Sequence, residues 1–123
     1  MKNSKTPTEL YQLLQNVTQY IITWAKPGMR VSDVDARARE MLGDYAPYFT
    51  HSLGHGVGVQ IHEMPWISAK SDTILEPGMI ITIEPGVYGI PMKDEEWRTK
   101  NEKVYGLRYE EMVLVDKEKL IVL

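Results

Sequence analysis

Three histidines, His51, His55 and His62, are the only ones in the chain, and they fall within twelve residues of each other. Glycines 54, 56 and 58 are interleaved with them. His51 and His55 are four apart, which on a helix would place both on one face. The glycines argue against a helix, so the spacing does not read as a helical His-x-x-x-His zinc motif. Glycine on both sides of His55 instead suits close approach of backbone to something bound. The other reading is a glycine-rich loop whose histidines face solvent.

Carboxylates extend the pattern. Glu84 ends the apolar run 79–84, where strand alternation places Ile80, Thr82 and Glu84 on one face and Ile81 and Ile83 on the other. A buried carboxylate must be paired, hydrogen-bonded or bound to metal. In the run 107–115, alternation groups Arg108, Glu110, Met112 and Leu114. Tyr109, Glu111, Val113 and Val115 take the opposite face, so at most one of the adjacent acids Glu110 and Glu111 faces a given site. Both glutamates lying at a wet strand edge is the alternative. A neutral imidazole with two carboxylates suits Mn, Co, Fe or Zn better than metals that prefer soft ligands. Such a metal acidifies water and polarises a carbonyl, as amide hydrolysis requires. A further histidine nearby could donate to a developing oxyanion.

These groups need elements to hold them. Thr6, Pro7 and Glu9 form a helix start, and Leu10, Leu13, Leu14, Val17, Ile21 and Ile22 follow at helical spacing. Lys26, Pro27 and Gly28 stop that helix near Ala25. A second helix is expected from Ser32, with Asp33 and Asp35 at its positive end, Val34, Ala38, Met41 and Leu42 on its apolar face, and Gly43 as its cap. Both helices read as packing elements without chemistry. Tyr45–Thr50 reads as extended. Pro85 and Gly86 end the 79–84 strand, residues 90–104 read as a loop, and Lys117–Leu123 returns as a hairpin partner of 107–115. Helices followed by strands indicate an α+β fold.

Composition narrows the function. The chain has 123 residues, of which 43% are hydrophobic and 25% charged, the balance of a globular domain or part of one. There is no cysteine, which excludes disulfides, thiolate metal sites and cysteine nucleophiles. A net charge of −3 gives no basic footprint, so no nucleic-acid partner is expected. Runs such as Ile21–Ala25 and Met79–Ile83 are too short to cross a bilayer, and Met1–Thr8 is polar, so neither a membrane partner nor a signal segment is expected. The expected location is the cytoplasm.

Three blocks then carry a resemblance. His51-Ser52-Leu53-Gly54-His55-Gly56-Val57-Gly58 leads to His62-Glu63 and Pro65. Leu75-Glu76-Pro77-Gly78-Met79 leads to Thr82, Glu84, Pro85 and Gly86. Arg108, Glu110 and Met112-Val113-Leu114-Val115 form the third block. In this order the chain resembles the pita-bread metallopeptidases, the creatinase, prolidase and aminopeptidase P group. The resemblance implies the C-terminal half of that fold: helices over about 7–43, a glycine-rich metal-site segment over 51–65 and a curved antiparallel sheet over about 79–123, together one partial peptidase domain. It implies His55, Glu84 and Glu110 as metal ligands, Glu84 also as general acid–base, His62 as the histidine that steadies the substrate carbonyl or the tetrahedral intermediate, and His51 and Arg108 as substrate-side residues. The implied cofactor is Mn or Co, with Zn or Fe as further options. The implied substrate is a peptide cut before proline.

The family draws two more metal ligands from aspartates ahead of the first helix, and no residue of this chain matches them. One metal at most is therefore expected here. A half-fold should expose an apolar sheet face and open strand edges, so self-association, or pairing with a chain supplying the N-terminal half, is expected. The alternative to an enzyme is a peptidase-like module that binds peptides or proteins without cutting them.

Overall fold

The computed structural model describes residues 5–58, 63–92 and 103–123. Helix α1 spans Pro7–Trp24. Thr6 Oγ1 accepts from Glu9 N at 3.1 Å and Glu9 Oε1 accepts from Thr6 N at 2.9 Å, which satisfies two donors that the first turn would leave unpaired. The chain leaves the helix at Ala25, and Gly28 turns it back with a φ of 94°. Leu10, Leu14, Val17 and Ile21 form its fully buried stripe.

Helix α2 spans Val31–Leu42, one residue earlier than expected, with Arg30 as a cap that makes no side-chain bond. Asp35 does not simply complement the helix dipole: it is fully buried and paired with Arg39. Gly43 ends α2 at a φ of 56°. Residues Gly43–Tyr48 then form a 3-10 helix rather than an extended segment. The tight turn buries Tyr45 in the core, so a tertiary contact overrides the extended preference of the aromatic run.

The strands are β1 (Gly54–Gly56), β2 (Glu63–Ile67), β3 (Ile80–Ile83), β4 (Gly86–Pro91), β5 (Val104–Arg108), β6 (Glu111–Val115) and β7 (Leu120–Val122). They make a five-stranded sheet ordered β2-β1-β3-β6-β7 and a two-stranded sheet β4-β5, with every pair antiparallel. The α+β expectation and the Lys117–Leu123 hairpin hold, since β7 pairs with β6 through Leu120↔Val115.

Two expectations at the strand ends do not hold. Gly86 opens β4 instead of closing the previous strand, and Ile90 and Pro91 belong to β4 rather than to a loop. Residues 93–102 of the expected loop lie outside the described residues. The expected single strand 107–115 is two: β5 pairs with β4, while β6 pairs with β3. Both breaks occur at one corner. Pro85 has no N–H to give to a ladder, and its carbonyl accepts from Tyr109 N at 3.1 Å. The 83–86 and 108–111 segments thus change sheets side by side.

One face of the larger sheet packs on the helices. Ile81, Ile83, Val113, Val115 and Leu120 point there and join the helix residues in one core. The opposite face carries Trp66, Ile80, Met112 and Ile121, each at least 36% exposed. Among the described residues no helix is long and apolar enough to cross a membrane.

Candidate active site

His55 sits on β1 against β3. Its backbone N–H donates to Thr82 Oγ1 at 3.1 Å, and the neighbouring Gly54 lies so close to Thr82 that a Cβ there would overlap the Thr82 carbonyl. His55 Nδ1 stands 2.9 Å from Gly56 O. A carbonyl only accepts, so Nδ1 carries the proton of the neutral ring and Nε2 keeps its lone pair. That Nε2 faces Glu84 Oε2 at 3.4 Å, with both side chains largely buried. An imidazole nitrogen beside a carboxylate oxygen is a donor pair of the kind that a divalent cation takes. A backbone carbonyl fixing the tautomer of the ring is also how proteins orient a histidine toward a metal.

Glu84 lies just beyond β3, in the corner segment. Its backbone N–H donates to Leu53 O at 2.7 Å, which ties it to the chain leading into His55. A cavity of about 330 Å³ opens beside the pair and is lined by His55, Thr82, Glu84, Arg108, Glu110 and Met112 among others. The alternation read from sequence is therefore correct: Thr82 with Glu84, and Arg108 with Glu110 and Met112, share one wall. Glu110, like Glu84, stands between strands where the chain changes sheets. Glu111 points away, and its carboxylate accepts from Tyr109 OH at 3.0 Å. That bond to an anion raises the Tyr109 phenol above its ordinary value.

The remaining assignments divide. His51 is not among the residues that line this cavity. Its Nδ1 is 2.7 Å from Ser52 O and its Nε2 is 2.8 Å from Tyr88 OH. By the same tautomer argument the tyrosine hydroxyl donates to the ring. His62 lies outside the described residues. Among the described residues no three His, Asp or Glu side chains converge closely enough to hold a metal ion as they stand. The donor chemistry nevertheless suits a hard or borderline divalent cation: one oriented imidazole, one adjacent carboxylate and a second carboxylate on the same wall.

Three participants escaped the sequence reading. Tyr88 holds His51, and the signal for it was a pair of glycines. A Cβ on Gly86 would collide with the Tyr88 hydroxyl, and one on Gly106 with its ring. Asp35 and Arg39 brace the approach to the site from α2. Their four-residue spacing on a helix was visible, but nothing local distinguished it from an ordinary surface pair.

Residues 2–117 match the model of metallopeptidase family M24. The Xaa-Pro dipeptidase of Pyrococcus furiosus is 43% identical over 109 residues, covering 87% of this chain and 28% of its own length. Among solved structures, the prolidase from Pyrococcus furiosus superposes with a TM-score of 0.81 at 37% identity, over 97% of this chain and 32% of that one. The N-terminal domain of the FACT complex subunit SPT16 from chickpea superposes with a TM-score of 0.79 at 27% identity, over 95% and 28%. The chain spans less than a third of the length of these proteins. Its two helices and antiparallel sheets are those of the pita-bread fold expected from the three sequence blocks, and it belongs to metallopeptidase family M24.

Proposed function

We propose that this chain forms part of a metal-dependent peptidase of the Xaa-Pro dipeptidase and aminopeptidase P class. The observation that carries the reading is the His55 Nε2 to Glu84 Oε2 approach at 3.4 Å, in a cavity that Glu110 and Arg108 also line. His55, Glu84 and Glu110 are the ligands for one divalent cation, Mn or Co, with Zn or Fe as alternatives. When bound, the metal supplies a Lewis acid that acidifies water and polarises the peptide carbonyl. Glu84 takes the proton from the attacking water and returns it to the leaving nitrogen, the general acid–base role suited to a carboxylate in a sheltered corner. Arg108 offers a fixed cation to the substrate's carbonyl or carboxylate oxygens. His62 donates to the carbonyl as it gains negative charge. His51, held by Tyr88, flanks the substrate.

The 123 residues act as one partial peptidase domain that self-associates or pairs with a partner supplying the N-terminal half. The same reading places the protein in the cytoplasm. The bound peptide lies against the wall formed by Met112, Thr82 and the two glutamates.

A second reading is a binding module that holds peptides or proteins without cutting them. It is favoured by the likeness to the N-terminal domain of a FACT complex subunit. Calorimetric titration with Mn or Co, together with an assay of Xaa-Pro dipeptide hydrolysis, separates the two. The peptidase reading expects metal binding and turnover, both reduced at least about a hundredfold in His55→Ala. Peptide binding without turnover, unchanged by added metal, would replace it with the module.

A further inference from the structure

The bracing of the His51–His55 segment by helix α2 points to a positioning device. We infer that Arg39, held by the buried Asp35, sets the directions of the His51 and His55 imidazoles. Where it concerns metal binding, this inference rests on the peptidase reading.

The bonds run outward from a carboxylate with no solvent exposure. Asp35 Oδ2 accepts from Arg39 Nε at 2.7 Å, and Oδ1 accepts from Arg39 Nη2 at 3.4 Å and from Leu53 N at 3.3 Å. The guanidinium then spends its other donors on the backbone ahead of the site. Nη1 donates to Phe49 O at 2.9 Å and Nη2 to His51 O at 2.8 Å. It also lies over the Phe49 ring, 4.2 Å from its centroid, and that ring meets His51 edge-on at 4.9 Å. The pair therefore fixes residues 49, 51 and 53, the three alternate positions that precede His55. Leu53 O in turn accepts from Glu84 N at 2.7 Å, so the brace reaches the Glu84 backbone as well.

Only a planar fork can make this set of contacts. Lysine at position 39 would still neutralise Asp35, but a single ammonium cannot reach two carbonyls and the carboxylate in the same geometry. The nearby Arg37–Glu40 pair shows the contrast. Its Arg37 is directed to Glu40 and Tyr20 on the helical side. Charge alone is therefore not what distinguishes Arg39.

The test uses imidazole ¹H–¹⁵N spectra of the full metal-free chain at pH 8. The parent should show His51 as the pure Nδ1–H tautomer, because Nδ1 donates to Ser52 O. Arg39→Lys should leave cooperative unfolding intact and shift His51 to a tautomer mixture. With Co²⁺ as the probe, its dissociation constant should rise about tenfold or more, as for the loss of an orienting partner of a metal ligand. Arg37→Gln should change neither readout. If Arg39→Lys fails to fold cooperatively, the neutral double variant Asp35→Asn with Arg39→Gln takes its place with the same expectation. Parent-like imidazole spectra in the folded variant would overturn the inference. A parent chain that binds no Co²⁺ would instead overturn the metal-site reading, and the tautomer readout would still decide the positioning claim.

Discussion

Gly54 allows β1 to lie against β3 where His55 must face Glu84. A Cβ at that position would overlap the carbonyl oxygen of Thr82, which is backbone and cannot rotate away. Gly54→Ala should therefore push the two strands apart and cost about 3 kcal/mol, the upper range for overpacking a fixed site. Urea unfolding followed by circular dichroism checks this, and a variant within about 0.5 kcal/mol of the parent would show that the strand contact is slack. The histidines were legible at this scale because their types and glycine neighbours are unusual. Their tautomers were not, because each is set by a carbonyl that arrives only when the backbone folds: Ser52 O for His51 and Gly56 O for His55.

At the scale of elements, α1 was almost fully written in sequence. Its start is a local reciprocal pair, and that pair also makes a pH-dependent contribution. The backbone N–H of Thr6 holds the Glu9 carboxyl below its ordinary value of 4.5. A carboxylate whose pKa is lowered on folding stabilises the fold above its unfolded value, and that stabilisation is lost as pH falls through the lower, folded value. Glu9→Gln keeps the hydrogen bond without the charge. Its stability should fall less steeply than the parent's as pH drops below 4.5, measured by thermal melts across an acid series. Parallel acid limbs for the two proteins would remove Glu9 from the account.

The strands were legible in their faces and not in their partners. Alternation correctly separated Thr82 and Glu84 from Ile81 and Ile83. It also ran unbroken from Arg108 to Val115, although the ladder changes sheet at Tyr109 and Glu110. Side-chain alternation persists through such a corner while the hydrogen-bond partners switch, so periodicity carries no mark of the break. The same blindness hid β4, whose start at Gly86 looked like an end.

For the molecule as a whole, the helices among the described residues cover one face of the larger sheet. Trp66, Ile80, Met112 and Ile121 are exposed on the other, alongside the candidate site. Apolar side chains gathered on one sheet face mark a contact surface. Sedimentation of the isolated chain should therefore show concentration-dependent association. Ile121→Lys, at the β7 edge and away from the cavity lining, should weaken it at least about tenfold, since a buried isoleucine contributes roughly 1.5–3 kcal/mol and a lysine there would bury a charge. A chain that stays monomeric at high concentration would count against this surface as an interface.

The sequence by itself determined the α+β class, the start of α1, the faces of β3 and β6 and the identity of the family, because each depends on residue type and local spacing. Tertiary structure decided which atoms meet. His55 and Glu84 are 29 positions apart in the chain, yet they meet because β1 and β3 are neighbours in the sheet. Arg39 reaches the carbonyls of Phe49 and His51 because α2 packs beside the chain that enters β1. Hydrogen-bond partners at such separations depend on how layers pack, and no local pattern of residues records that packing.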